Sequence, residues 1–209
     1  MKDGGYEDGY RHCDRFWGTH PAEYVVFAMQ HLTNIHDRRA LDLGCGEGKN
    51  ALAMSSGGFE VTAIDVSQTA LAHARSTPGA ERVIWKSEDL RAFRTRTLFD
   101  LVIATGSLHC LDSPAEVEDA LANIRAFTKP GGLTVVYSFN DGPHDFTGHQ
   151  TDFEPVLLSH AYYLSAFQGW RILRESDQVQ LDVHPNNNIQ HSHAISRIVA
   201  QKPVAARAD

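Results

Sequence analysis

One eight-residue stretch, Leu41-Asp42-Leu43-Gly44-Cys45-Gly46-Glu47-Gly48, constrains the chain more than any other. It follows a short apolar run and opens an amphipathic segment. Three glycines at alternate positions let the backbone turn sharply and approach a ligand closely. A glycine turn between a short strand and a helix is the joint of an alternating α/β chain, and the rest of the sequence keeps that alternation. Short apolar runs recur at Arg39–Leu43, Glu60–Ile64, Arg82–Trp85, Phe99–Ala104 and Gly132–Ser138, with helical segments expected at Lys49–Ser56, Ser67–Ser76 and Pro114–Phe127. The last of these has Ser113 as cap, Pro114 in its first turn and Glu116 to complement the dipole. Lys129-Pro130-Gly131-Gly132 marks its end.

Beyond the fifth run, residues 140–150 are rich in Gly, Pro, Asp and His without periodicity and read as a covering loop. A helix is expected over Glu154–Phe167. Trp170–His184 and Ile189–Ala200 then read as two strands around Pro185-Asn186-Asn187-Asn188, close enough to be antiparallel. The expected architecture is a doubly wound α/β sheet of seven strands, mostly parallel and Rossmann-like, ending in an antiparallel hairpin. The 209 residues suit one domain. It divides into a helical arm over 1–38, a core over 39–140, a covering segment over 141–203 and a disordered tail over 204–209.

Two nucleotide-binding readings of the glycine loop fail on residues. A dinucleotide G-x-G-x-x-G beginning at Gly44 needs glycine where Lys49 stands. A phosphate loop ending in Gly48-Lys49 needs glycine in place of Leu43 and Ser or Thr in place of Asn50. What remains is D-x-G-x-G-x-G, whose Asp42 carboxylate repels phosphate and attracts an ammonium group. The ligand should carry a cation.

From about Ala40 to Phe139 the chain resembles the class I S-adenosylmethionine-dependent methyltransferases, whose cofactor carries both an ammonium and a sulfonium. The resemblance implies that Asp42, Gly44, Gly46 and Gly48 hold this cofactor. Asp65 would take the ribose hydroxyls, with Val66 on the adenine face. It implies an acidic group after the third strand for the adenine amine, assigned to Asp89 in Glu88-Asp89-Leu90, with Leu90 at the ring. Thr105 or Gly106 would lie beside the methionine part, and Ser107 and His109 would face the acceptor. Thr128-Lys129-Pro130-Gly131-Gly132 matches the family's turn before the fifth strand.

The ends resemble the tellurite-resistance-type branch and related small-molecule methyltransferases, through Arg15-Phe16-Trp17-Gly18-Thr19-His20-Pro21 and through His191-Ser192-His193 leading to Arg197-Ile198-Val199-Ala200-Gln201-Lys202-Pro203. That likeness implies an arm over the cofactor, with Trp17, and Tyr6 or Tyr10, excluding water. The implied acceptor is a small molecule, methylated with positioning and desolvation carrying much of the rate. His109, with an ordinary pKa of about 6.5, is the candidate base where an acceptor proton must leave.

Charge agrees with a small substrate. Nineteen Lys and Arg against 26 Asp and Glu give a net charge of −7, which disfavours nucleic acid and anionic membrane partners. Arg82, Lys86, Arg91, Arg94 and Arg96 read as a solvated basic face. Cys13, Cys45 and Cys110 are odd in number and scattered, which points to a reducing, cytoplasmic setting. Residues 1–8 lack the basic end and apolar run of a secretory signal. Oligomeric state is left open.

The chain has 12 histidines, six of them after position 143. His191 and His193 share a strand face, and His144, Asp145 and His149 fall in the covering loop. A metal site would need three separate segments to converge, and no H-E-x-x-H or Cys-His cluster fixes a geometry. No metal is therefore assigned, and His144, His149, His191 and His193 are read with Trp17 and Ser107 as acceptor-pocket residues. His12, His31, His36 and His73 read as surface histidines. Two other readings remain: S-adenosylmethionine chemistry other than methyl transfer, such as intramolecular cyclisation, and a non-catalytic cofactor-binding module.

Overall fold

A computed structural model describes residues 6–32, 37–149 and 153–204. Its elements are α1 (Tyr6–His12), α2 (Glu23–His31), β1 (Arg39–Leu43), α3 (Lys49–Ser56), β2 (Glu60–Asp65), α4 (Gln68–Ser76), β3 (Val83–Ser87), β4 (Phe99–Thr105), α5 (Pro114–Phe127), β5 (Thr128–Asp145), α6 (His160–Ser165), β6 (Arg171–Val183) and β7 (Gln190–Gln201). The expected tail, Val204 apart, and His36 lie outside the described residues. No described helix is long and apolar enough to cross a membrane.

The seven strands form one sheet in the order β3-β2-β1-β4-β5-β7-β6. The first five strands are parallel neighbours, whereas β7 runs antiparallel between β5 and β6. The doubly wound architecture and its closing hairpin are as the sequence led us to expect. Successive residues of a strand face opposite sides, and the core divides accordingly. Leu41, Leu43, Val102 and Ala104 pack with α5 and α6, while Ala40, Leu101 and Ile103 pack with residues of α2 and α3.

Local chemistry explains the crossovers. Ser67 caps α4 by accepting from the Ala70 amide at 2.9 Å, and Ser113 caps α5 by accepting from Glu116. Gly48 enters α3 at φ +80°, a left-handed conformation that favours glycine.

Three expectations need correction. Residues 140–145 are not loop: β5 continues through a bulge to Asp145, pairing His144 with His193 and Asp145 with Ser192. The helix expected over Glu154–Phe167 is confined to α6. Before it the chain runs extended, with the Val156 amide donating to His109 O and Leu158 bridging Asn140, until Ser159 caps Tyr162. The supposed basic face is also partly spent, since Arg91 binds Asp89, Asp112 and Glu116.

Candidate active site

The C-terminal ends of β1, β2 and β4 open onto a cavity of about 970 Å³. This is where parallel α/β sheets collect ligands, outside the strand ends and where strand order reverses. Its floor is the glycine loop. Gly44, Gly46 and Gly48 have φ of +75°, +52° and +80°. A Cβ on Gly44 would lie 2.4 Å from Ser107 Cβ, one on Gly46 2.9 Å from the Tyr10 hydroxyl, and one on Gly48 2.3 Å from the Trp85 ring. The glycines are therefore required by conformation and by room.

Asp65 stands at the end of β2 with its carboxylate aimed by two backbone donors. Oδ2 accepts from the Gly46 amide at 2.7 Å and Oδ1 from the Ser67 amide at 2.9 Å. Burial raises its pKa, and these amides oppose the shift. Each oxygen keeps further acceptor capacity. Val66, Glu88, Leu90, Thr105 and Gly106 continue the lining. A Cβ on Gly106 would meet nothing within 4 Å, so the wall is open there.

Two carboxylates assigned to the cofactor are placed differently. Asp89 is absent from the cavity wall: its carboxylate is held by Arg91, with Nη2 donating to Oδ2 at 2.6 Å; burial raises its pKa, and the hydrogen bonds and charge of Arg91 together outweigh that and lower it. The preceding carboxylate, Glu88, lines the cavity instead. Asp42 is fully buried behind the loop, and neither carboxylate oxygen has a hydrogen-bond partner among the described residues. Burial, and then the nearby Asp65 charge, push its pKa up to about 8.

The arm lies over this floor. Trp17 Nε1 donates to the Tyr10 hydroxyl at 3.0 Å, and Tyr6 packs edge-on to Trp17. Polar latches fix the arm: Ser67 and Thr69 hydroxyls donate to Glu7, the Arg15 amide donates to Glu47, and Lys49 Nζ donates to Trp17 O. Tyr6, Tyr10 and Trp17 all border the cavity.

Ser107 also borders it, but its hydroxyl donates to Leu43 O at 2.9 Å and so ties β4 to the glycine loop. His109 lies flat on Phe139, and its Nδ1 accepts from the Phe139 amide at 3.3 Å. A nitrogen that accepts is unprotonated, so the proton of neutral His109 is on Nε2. Burial, with His149 and His144 adding to it, pushes its pKa down to about 3. Nε2 is buried without a partner among the described residues, and the arrangement does not suit the base expected from sequence.

The far wall is the hairpin. Alternate residues of β6, Arg174, Ser176, Gln178, Gln180 and Asp182, line the cavity, as do His184 beyond them and Arg197 of β7. Tyr137 and Phe139 of β5 complete it. Sequence reasoning missed this row, although period-2 polar residues over 174–184 are the mark of one strand face. His144, His149, His191 and His193 do not border the cavity; they cluster behind its wall, where His193 stacks on Phe139 at 4.2 Å.

Residues 40–132 match the family described as a methyltransferase domain. Over these residues the chain is similar to a methyltransferase domain. Thiocyanate methyltransferase 1 of Arabidopsis thaliana is 29% identical over 76% of this chain and 73% of its own length. Two other curated relatives are matched over only 35% and 57% of their length. TehB from Haemophilus influenzae superposes with a TM-score of 0.68 at 20% identity, over 85% of this chain and 61% of that one. The Burkholderia thailandensis 1,6-didemethyltoxoflavin-N1-methyltransferase, solved with 1,6-didemethyltoxoflavin and S-adenosylhomocysteine, superposes at 0.66 and 18% identity over 95% and 85%. These superpositions establish the methyltransferase fold.

Proposed function

We propose that the chain is an S-adenosylmethionine-dependent methyltransferase acting on a small-molecule acceptor. The observation that carries this reading is the alignment along one cavity of an open glycine cradle and Asp65, with its two carboxylate oxygens aimed by backbone amides. S-adenosylmethionine, when bound, supplies a methyl group on a sulfonium cation. Gly44, Gly46 and Gly106 leave room for its methionine part, Asp65 accepts from the ribose hydroxyls, and Glu88 accepts from the adenine amine beside Val66 and Leu90. The unpartnered Asp42 beneath the loop fits a cationic ligand, because an ammonium nearby stabilises the ionised carboxylate.

The acceptor lies toward the hairpin, against Phe139, Tyr137 and the polar row of β6. Methyl transfer is an in-line displacement, so the chain's contribution is alignment and exclusion of water. Tyr6, Tyr10 and Trp17 cover the site. The thiocyanate and toxoflavin activities named for the similar proteins support small acceptors, as does the acidic net charge, which disfavours nucleic acid. We place the reaction in the cytoplasm on the odd, scattered cysteines.

Calorimetry with S-adenosylhomocysteine tests the cofactor seat: wild type binds, and Asp65→Ala weakens binding at least tenfold. Mass analysis of S-adenosylmethionine incubated with an acceptor panel then tests the reaction. S-adenosylhomocysteine with a product heavier by one methyl is expected. Methylthioadenosine, or tight binding without turnover, would overturn methyl transfer.

A further inference from the structure

We propose that His149, His184 and His191 form a binding site for one divalent transition-metal ion of the zinc class, at the hairpin wall of the cavity. Their ligand nitrogens all lie within 4.8 Å of one another. A tetrahedral centre with bonds of 2.0–2.1 Å separates its ligand atoms by roughly 3.4 Å, so small side-chain rotations close the set. The convergence joins three segments, the chain after β5, the end of β6 and the start of β7.

The hydrogen-bond partners assign a bare nitrogen to each ring. His191 Nδ1 donates to Ile189 O at 2.8 Å, and its buried Nε2 has no partner among the described residues. His184 Nδ1 faces Gly148 O at 3.4 Å, which leaves Nε2 bare. For His149 the assignment comes through a relay. His144 Nε2 donates to Asn140 O at 2.7 Å, so its Nδ1 accepts from His193 Nδ1 at 3.2 Å. His193 Nε2 then accepts from His149 Nε2 at 2.9 Å, and His149 Nδ1 carries the lone pair. A carbonyl or a second ring holding the far nitrogen of each imidazole is the outer shell that metal-bound histidines use.

Asp182 Oδ2, 4.0 Å from His184 Nε2, adds a negative charge that favours a cation. Imidazole nitrogen suits zinc and its neighbours over calcium or magnesium. Three protein ligands among the described residues match the pattern of a centre with an open position. Because His184 also lines the cavity, the ion would border the acceptor chamber. It would also fasten the backbone near Gly148 to the hairpin, and a Cβ on Gly148 would lie 2.3 Å from His191 Nδ1.

The test uses untagged full-length protein, stripped with chelator and titrated with Co²⁺ by absorption and with Zn²⁺ by calorimetry. We expect one ion per chain, intense four- or five-coordinate Co²⁺ bands, and displacement of Co²⁺ by Zn²⁺. His184→Ala and His191→Ala should each weaken Zn²⁺ binding by roughly 100-fold or more, while His12→Ala, outside the cluster, leaves it unchanged. S-adenosylhomocysteine titration of each variant reads whether the cofactor half is folded. It is independent of the metal, so failure of the methyltransferase reading and failure of this one are separable. If the variants do not fold, the wild-type spectrum decides: weak six-coordinate bands, or no saturable uptake, would overturn the site. Full-strength binding in folded His184→Ala and His191→Ala would overturn it equally.

Discussion

The imidazole of His109 lies parallel to the ring of Phe139, with centroids 3.9 Å apart and planes 8° from parallel. The same residue pair shares a hydrogen bond from the Phe139 amide to His109 Nδ1. Stack and bond together fix the ring, its tautomer and the direction of its Nε2–H.

A pH dependence follows from that fixation. Native His109 titrates near 3, against about 6.5 in an unfolded chain. The unfolded state therefore binds the extra proton between these values, and the stability this group contributes falls as pH drops below about 6.5. The loss amounts to roughly 2 kcal/mol between pH 6.5 and 5. Urea unfolding at pH 7 and pH 5 should show a larger acid penalty in wild type than in His109→Gln. Equal penalties would mean that His109 is not held neutral. The pH–rate profile should likewise lack a limb near 6.5 arising from this residue.

Gly44 and Ser107 should behave as a coupled pair. Gly44→Ala places a Cβ 2.4 Å from Ser107 Cβ at a φ of +75°, so it strains the loop and collides with β4. We expect a loss of at least about 2 kcal/mol of stability. Adding Ser107→Gly removes the collision and leaves the backbone strain, so the double variant should recover about half. A double-mutant cycle from denaturation curves measures the coupling, and strict additivity would sink the argument.

Glu88 and Asp89 are neighbours with opposite expected phenotypes. Glu88→Gln removes a cavity carboxylate and should weaken S-adenosylhomocysteine binding about tenfold, the cost of one charge-assisted hydrogen bond. Asp89→Asn loosens the ion pair with Arg91 and should cost about 1 kcal/mol of stability or less, with cofactor affinity retained. Calorimetry beside thermal denaturation separates the two, and a reversed pattern would restore Asp89 to the adenine.

Asp42 should register cofactor binding as proton release. Its pKa near 8 leaves it mostly protonated at pH 7, and a cationic ligand above the loop lowers that value. Titrations of S-adenosylhomocysteine in buffers of different ionisation enthalpy should reveal net release approaching one proton per site near pH 7. Asp42→Asn should abolish the release. Buffer-independent heats in wild type would show that the carboxyl is not linked to the ligand.

Most of this fold was legible because its signals are local. Ser113 caps α5 as its place before Pro114 implies, and Gly44 to Gly48 announce the turn between β1 and α3. Errors arose where non-local partners decide. Which of Glu88 and Asp89 faces the cavity depends on the pleat at the end of β3 and on Arg91 two residues on. His144 looked like loop because Gly142 and Pro143 precede it, yet β7 supplies the pairing that extends β5. His184 carried no motif, and its meaning emerges only where His149 and His191, distant in sequence, fold against it.

The reversal of strand direction between β5 and β7 has an evolutionary consequence. Asp65, Glu88 and Thr105 come from the parallel half, whereas Arg174 through His184 and Arg197 come from the antiparallel half. Substitutions on the cavity face of β6 therefore leave the strand ends that carry Asp65, Glu88 and Thr105 untouched. A lineage with this sheet can change its acceptor by drift along one hairpin, and a laboratory library confined to positions 174, 176, 178 and 180 should explore the same route.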